Sequence, residues 1–255
     1  MTTPRLVTIS FSHYCDKARW ALDHAGLAYH EEAHLPGFHA PAVRRAGGKR
    51  TTPVLVTDEG VLPDSKDILA WADRQRPEAR LYGRAPEERR EIEALEAMLG
   101  DELGPHTRRW AYFHILPDRA ATLAMFTSQT VTPSHERAIV PFAFPVLRPL
   151  MRRAMRIDAE GAERSRKKVD ATFDTIAERL SDGRAFLVGD ALSVADITFA
   201  TLASPALLWE DPSSRLPPVD VLPPAAVSRI QAWRAHPAGQ FALQITRLRA
   251  SSPPR

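Results

Sequence analysis

Ile9-Ser-Phe-Ser-His-Tyr-Cys-Asp-Lys-Ala-Arg-Trp-Ala-Leu22 carries the chain from one periodicity to another. Just before it, Leu6-Val7-Thr8-Ile9 is short, apolar and β-branched, the pattern of a buried strand. Beyond it, Ala18, Trp20, Ala21, Leu22 and Ala25 recur at helical spacing, and Gly26 stands at the position of a helix C-cap. Ser12-His13-Tyr14-Cys15 therefore occupies the turn that opens the helix. Free N–H groups and a positive dipole end favour a bound anion at such a place. A thiolate is such an anion, and its pKa falls there. The thiolate can be that of Cys15 or one brought by a ligand.

Working outward, Leu27–Leu35 reads as a second strand. Pro36 to Arg50 mixes prolines, glycines and bases and predicts an irregular loop with one helical turn near Pro41–Ala46. Thr51–Thr57 is a strand entered through Pro53, and Asp58-Glu-Gly60 turns it back into Val61-Leu62. Asp64-Ser65 then caps an apolar helical face of Ile68, Leu69, Trp71 and Ala72. The order is β-α-β, a loop, then β-β-α. Arg76 to Pro86 reads as a linker, and nearly every later segment is helical. A helix from Glu87 to about Ile115 is expected to break at Gly104-Pro105, and others are expected over Leu116–Val131, Asp158–Leu180, from Ser193, and over Val227–Arg249. Between them, Pro141, Pro145 and Pro149 recur every four residues, so Ala138–Met151 predicts a kinked segment lining a cleft or packing on the core. The flanking Arg148, Arg152, Arg153 and Arg156 leave a membrane-surface role as the alternative.

Composition excludes several classes. The hydrophobic fraction of 44% supports a real core, and one cysteine excludes an internal disulfide, as suits a reducing compartment. A net charge of +3 is small for 255 residues and does not argue for nucleic acid. The basic run Arg164–Lys168 has no aromatic residue interleaved for base stacking and reads as a solvated face. There is no signal peptide pattern and no spanning apolar run, so a cytoplasmic protein is expected. No cluster suggests a metal site.

Two further motifs follow the opening one. Thr52-Pro53-Val54-Leu55 precedes Asp64-Ser65, and Phe186-Leu-Val-Gly-Asp-Ala-Leu-Ser-Val-Ala-Asp-Ile197 holds a capping box. In that box Ser193 is the N-cap and Asp196 the N3 acid, with Leu192 and Ile197 as a hydrophobic staple. Read on its own chemistry, Pro53 is either a cis proline that turns Thr52 toward a ligand or an ordinary edge-strand proline. Asp64-Ser65 is either a carboxylate receptor or a plain N-cap. In this order the three motifs resemble the cytosolic glutathione transferases, in their serine-type, bacterial-like form. That resemblance spans almost the whole chain and fits least well over Leu116–Asp158. It implies an α/β plus all-α fold, with a thioredoxin-like domain over residues 1–78 and an all-helical bundle over 86–255.

The resemblance also implies a function and a set of residues. Ser12, first in the Ser-His-Tyr-Cys window, would donate to the sulfur of glutathione, whose thiolate attacks a small hydrophobic electrophile, as in detoxification. From about 8.5, a drop of roughly two units is worth about 2.7 kcal/mol of thiolate preference. Thr52 and Pro53 would pair with the cysteinyl portion of glutathione, and Asp64 and Ser65 would hold its γ-glutamyl end. Lys49, Arg50 and His39 are candidates for its glycyl carboxylate, although Gly47–Pro53 is one residue longer than the family's usual spacing. Tyr14, Trp110, Tyr112 and Phe113 are candidate electrophile-pocket residues, with core packing as their alternative. His13 reads as an exposed loop histidine rather than a general acid. Cys15, flanked by Lys17 and Arg19, is the possible alternative nucleophile of a glutathione-disulfide reductase; its fourth position in the window favours a buried thiol. The remaining alternative is a non-catalytic glutathione- or partner-binding scaffold. A homodimer is implied by the resemblance alone.

Overall fold

The computed structural model describes residues 2–209 and 215–251. Strand β1 (Arg5–Ile9) leads through the Ser10–Ser12 turn into helix α1 (His13–His24), followed by β2 (His30–His34), α2 (His39–Arg45), β3 (Val54–Thr57), β4 (Gly60–Leu62) and α3 (Ser65–Gln75). The sheet order is β2-β1-β3-β4, with β1 parallel to β2 and the remaining pairs antiparallel. The order β-α-β, then β-β-α is as read from the sequence, and the arrangement is the thioredoxin-like one that the resemblance implies.

Alternation along β1 divides the core between the two faces of the sheet. Leu6, opposite Leu55, joins the large core shared with α1 and α3. Val7, opposite Val54, faces the other way and packs with Ala42 and Val43 of α2 and Ala46 just after it. The loop expected over 36–50 thus contains a complete short helix rather than a single turn.

Arg76 to Ala85 holds a 3₁₀ turn at Pro77–Ala79, and the chain then becomes helical. The helices are α4 (Pro86–Glu102), α5 (Gly104–Ile115), α6 (Arg119–Thr127), α7 (Ser134–Met155), α8 (Ala159–Arg179), α9 (Val194–Leu207), α10 (Pro224–Ala235) and α11 (Pro237–Ser251). Gly104-Pro105 separates α4 from α5 as the sequence predicts. Every residue of α9 is buried, which is the signature of a central helix. It packs against α1, α4, α5, α10 and α11, so the helical half is built around it and the sheet half leans on it through α1. The start of α9 is fixed by Asp196, whose carboxylate accepts the Ser193 N–H and hydroxyl at 2.9 and 2.8 Å and the Leu187 N–H at 2.7 Å.

The segment with prolines 141, 145 and 149, expected as a kinked piece lining a cleft or packing on the core, forms one helix of 22 residues, α7, whose inner side packs on the core. Four-residue spacing places the three rings on nearly one face of the helix, so the backbone acceptors they strip of donors lie together. That face is turned outward: Pro145 and Pro149 are exposed, and the Arg119 guanidinium donates to the Pro141 carbonyl at 2.9 Å. The inner side buries Val140, Phe144 and Met151, while Ile139, Phe142 and Val146 remain exposed. Among the described residues, no helix is long and apolar enough to cross a membrane.

Candidate active site

Ser12 is the N-cap of α1, with extended φ and ψ of −74° and 124°. Its carbonyl accepts the Asp16 N–H at 2.8 Å, but its hydroxyl makes no capping hydrogen bond. The side chain is half-buried and borders a cleft of about 480 Å³ between the two halves of the molecule. Such a volume falls within the usual range for small-molecule sites. The sheet half contributes Ile9, Ser12, His13, His39, Arg50 and Thr51 to its wall. The helical half contributes Arg108, Tyr112 and Ile115 of α5, Met125 of α6 and Met151 of α7.

Of the other residues of the opening window, His13 borders this space but is tied down, and Tyr14 and Cys15 are held away from it. Cys15 is fully buried under α1. Burial pushes its thiol up; the charge of Arg19 and hydrogen bonding by Thr52 and Ser12 work the other way and are outweighed. The cations expected to lower it are engaged elsewhere. Lys17 pairs with Glu96 at 2.6 Å, and Arg19 with Glu31 at 2.8 Å. A neutral thiol without solvent access is a poor nucleophile, so this environment argues against the Cys15 alternative.

His13 is buried rather than exposed, which corrects the reading of a loop histidine. Burial, then the nearby Arg108 charge, lower its pKa to about 3. The ring is therefore neutral, and at 3.0 Å from the Gly104 carbonyl its Nε2 must be the protonated nitrogen. It holds α1 against the α4–α5 junction and has no proton to spare for a leaving group. Tyr14 makes a parallel contact, its hydroxyl donating to the Gly100 carbonyl at 3.0 Å.

The peptide bond between Thr52 and Pro53, which follows the wall residues Arg50 and Thr51 but is not itself part of the wall, is cis. Thr52 is half-buried and Pro53 buried, and Thr51 reaches the cleft wall. Asp64 caps α3 by accepting the Lys66 N–H at 2.9 Å. Ser65 is buried beside it, its hydroxyl 3.4 Å from the Asp64 carboxylate. His39 and Arg50 border the cleft, whereas Lys49 is exposed and is not part of its wall. Burial lowers the pKa of His39, so that ring too is neutral near pH 7.

Of the four aromatic residues expected around the electrophile, Tyr112 borders the cleft and the others do not. Trp110 is 3% exposed and packs edge-on against Trp233 in the core. Phe113 packs against His114, and Tyr14 is tied to α4. The reason is helical geometry. Arg108, Ala111, Tyr112 and Ile115 follow the i, i+3, i+4, i+7 spacing of one face, which is the face turned to the cleft. That spacing was present in the sequence, but aromatic character drew attention to the wrong face. Leu147 and Met151 belong to the proline-spaced segment expected to line a cleft or pack on the core, whereas Met125 and Leu208 carried no local signal, because their place depends on how α6 and α9 fold back over α5. Among the described residues, no group of three His, Cys, Asp or Glu is placed to hold a metal ion.

Comparison with known proteins accords with this geometry. Residues 6–80 match the family profile described as glutathione S-transferase, N-terminal domain, and residues 159–236 match glutathione S-transferase, C-terminal domain. No curated protein sequence matches the chain. Solved structures share its fold at low identity. A glutathione S-transferase from Xanthobacter autotrophicus Py2 has 16% identity and a TM-score of 0.60, with 99% of this chain and 95% of that one covered. One from Rhodospirillum rubrum F11 has 21% identity and a TM-score of 0.56 over 94% and 92% of the two chains. A third, from Methylobacterium radiotolerans JCM 2831, was solved in complex with glutathione sulfonate; it has 21% identity and a TM-score of 0.52 over 94% of each chain. With both halves matched by profile and the fold shared along nearly its whole length, the chain belongs to the glutathione transferase superfamily.

Proposed function

We propose that the protein is a glutathione transferase in which Ser12 holds the glutathione sulfur as a thiolate for attack on a small apolar electrophile. The observation that carries this reading is the Ser12 hydroxyl: it stands at the N-terminus of a 12-residue helix, is not used to cap it, and borders the cleft. A hydroxyl donor and a helix dipole acting on one sulfur both favour the anion. Thr52 and Pro53 would present backbone to the cysteinyl portion of the tripeptide. Asp64 and Ser65 would receive its γ-glutamyl end at the start of α3, and His39 and Arg50, both on the cleft wall, would meet its glycyl end. Electrophiles would enter over α5 and α7. A cytoplasmic homodimer acting in detoxification belongs to the same reading and draws its support from the family.

In this mechanism the sulfur loses its proton to solvent on binding, and Ser12 donates a hydrogen bond to the resulting anion. Thiolate attack forms the carbon–sulfur bond as the leaving group departs with its electron pair. The test is Ser12→Ala, assayed for conjugation of glutathione to a panel of electrophiles and for the pKa of the bound thiol by ultraviolet absorbance. Loss of the hydroxyl is expected to raise that pKa by one to two units, and turnover near pH 7 should fall roughly 10- to 100-fold. Full activity of the variant with an unshifted thiol pKa would overturn the assignment.

A further inference from the structure

The wall of the cleft contains a cation without a counter-ion. Arg108 makes no hydrogen bond or ion pair with any described residue, and its buried Nε has no partner. Its closest aromatic contact is the Tyr14 ring, 6.0 Å from the guanidinium carbon. The adjacent Arg109 is fully engaged, donating to the Met155 carbonyl at 2.8 Å and to Ser165 at 2.9 Å. Among the described residues, no aspartate or glutamate borders the cleft. One turn further along α5, Tyr112 also borders the cleft, and its hydroxyl makes no hydrogen bond to a described residue. Two donors, one of them charged, thus converge on a space that is otherwise lined by Ile115, Met125, Leu147, Met151 and Leu208.

We infer that Arg108 and Tyr112 form a carboxylate subsite for the acceptor, so that the cleft takes apolar electrophiles bearing one carboxylate. A buried guanidinium N–H is costly until an acceptor pairs with it, and a carboxylate matches the two parallel N–H groups of an arginine. Glutathione has its own candidate partners on the sheet side, at Arg50, His39 and Asp64-Ser65, whereas Arg108 lies across the cleft on the helical side. The apolar wall then receives the body of the ligand. The reactive step rests on the proposed glutathione chemistry; the recognition of the carboxylate does not.

The experiment measures binding of ω-phenylhexanoate and of the corresponding alcohol, ω-phenylhexanol, to the full chain by titration calorimetry, with glutathione titrated separately. The acid is expected to bind roughly 10- to 100-fold more tightly than the alcohol, the usual worth of a charge-assisted hydrogen-bonded pair. Arg108→Met should remove that advantage and leave alcohol and glutathione binding unchanged, while Arg108→Lys should retain part of it. Acid and alcohol binding alike, or neither binding to the wild type, would sink the proposal; so would an Arg108→Met variant that weakens glutathione as much as the acid. A wild type that prefers the acid but ignores glutathione would leave the subsite standing and overturn the proposed function. Should Arg108→Met not fold, the acid–alcohol ratios of the wild type and Arg108→Lys decide.

Discussion

Cys15 follows Ser12 by three positions, less than one turn of α1, and the fold gives the two side chains opposite surroundings. Ser12 borders the cleft as an N-cap whose hydroxyl does not cap the helix, while Cys15 is sealed from solvent. The same backbone turn that exposes one buries the other. Burial also keeps the thiol in its neutral form. In the folded protein, iodoacetamide at neutral pH is therefore expected to leave Cys15 unmodified, whereas the unfolded chain should take up one label per molecule. Mass spectrometry with and without denaturant reads this directly; rapid labelling of the native chain would return Cys15 to contention as a nucleophile. This much was legible in the sequence, since position four of the window follows from the strand–turn–helix pattern. The buried state of His13 was not, because it depends on the Gly104 carbonyl, 91 residues away.

Among the elements, α5 and α7 decide the shape of the cleft, and they were the hardest to read. The Trp110–Phe113 run looked like a pocket lining because it is aromatic, but a helix shows its neighbours one face at a time. The proline spacing in α7 predicts a kinked segment, and the helix carries it by gathering the lost hydrogen bonds on the outward side, where solvent and Arg119 serve them. The N-terminal end of α7 is pinned to the sheet by Glu136. One carboxylate oxygen lies 2.5 Å from His34 Nδ1, and the other accepts the Leu35 N–H at 2.8 Å. Hydrogen bonding to Glu136 raises the His34 pKa, helped by Glu32 and opposed by burial. A raised histidine pKa contributes stability that is fully present below the unfolded value near 6.5 and is lost as pH rises through the folded value. Glu136→Gln is expected to destabilise the protein by about 2 kcal/mol, more at pH 6 than at pH 9. Hydrogen exchange over Ser134–Val140 should speed up with it. Equal exchange in wild type and variant at both pH values would show that the contact does not anchor α7.

At the scale of the whole molecule, the sheet half was legible because its signals are local: β-branched runs, turn residues and the Asp64 cap all lie within a few residues of what they specify. The helices of the second half were legible one by one, but their mutual packing was not. The contacts that join the halves connect residues far apart in sequence and had no pattern to betray them. Beneath α1, Glu31 on β2 accepts from Arg19 at 2.8 Å, from Arg215 at 2.9 and 3.0 Å and from the Thr8 hydroxyl at 2.7 Å. Asp16 completes the group by pairing with Arg249 of α11 at 2.9 Å. The network therefore ties the sheet both to the chain preceding α10 and to the last helix. Burial alone would raise the pKa of Glu31, but the Arg215 hydrogen bonds and the Arg19 charge overrule it and hold the carboxyl down at about 2. A depressed carboxylate contributes stability above its unfolded pKa of 4.5 and loses it as pH falls toward the folded value. The difference corresponds to something on the order of 3 kcal/mol, lost between about pH 4.5 and pH 2. Glu31→Gln should be less stable than the wild type at pH 7 by about 3–5 kcal/mol, since it leaves two guanidinium groups without their shared anion. Its stability should also fall less steeply through the acid range. Urea denaturation at a series of pH values separates the two curves, and parallel acid limbs would mean that Glu31 is not the group through which the halves are joined.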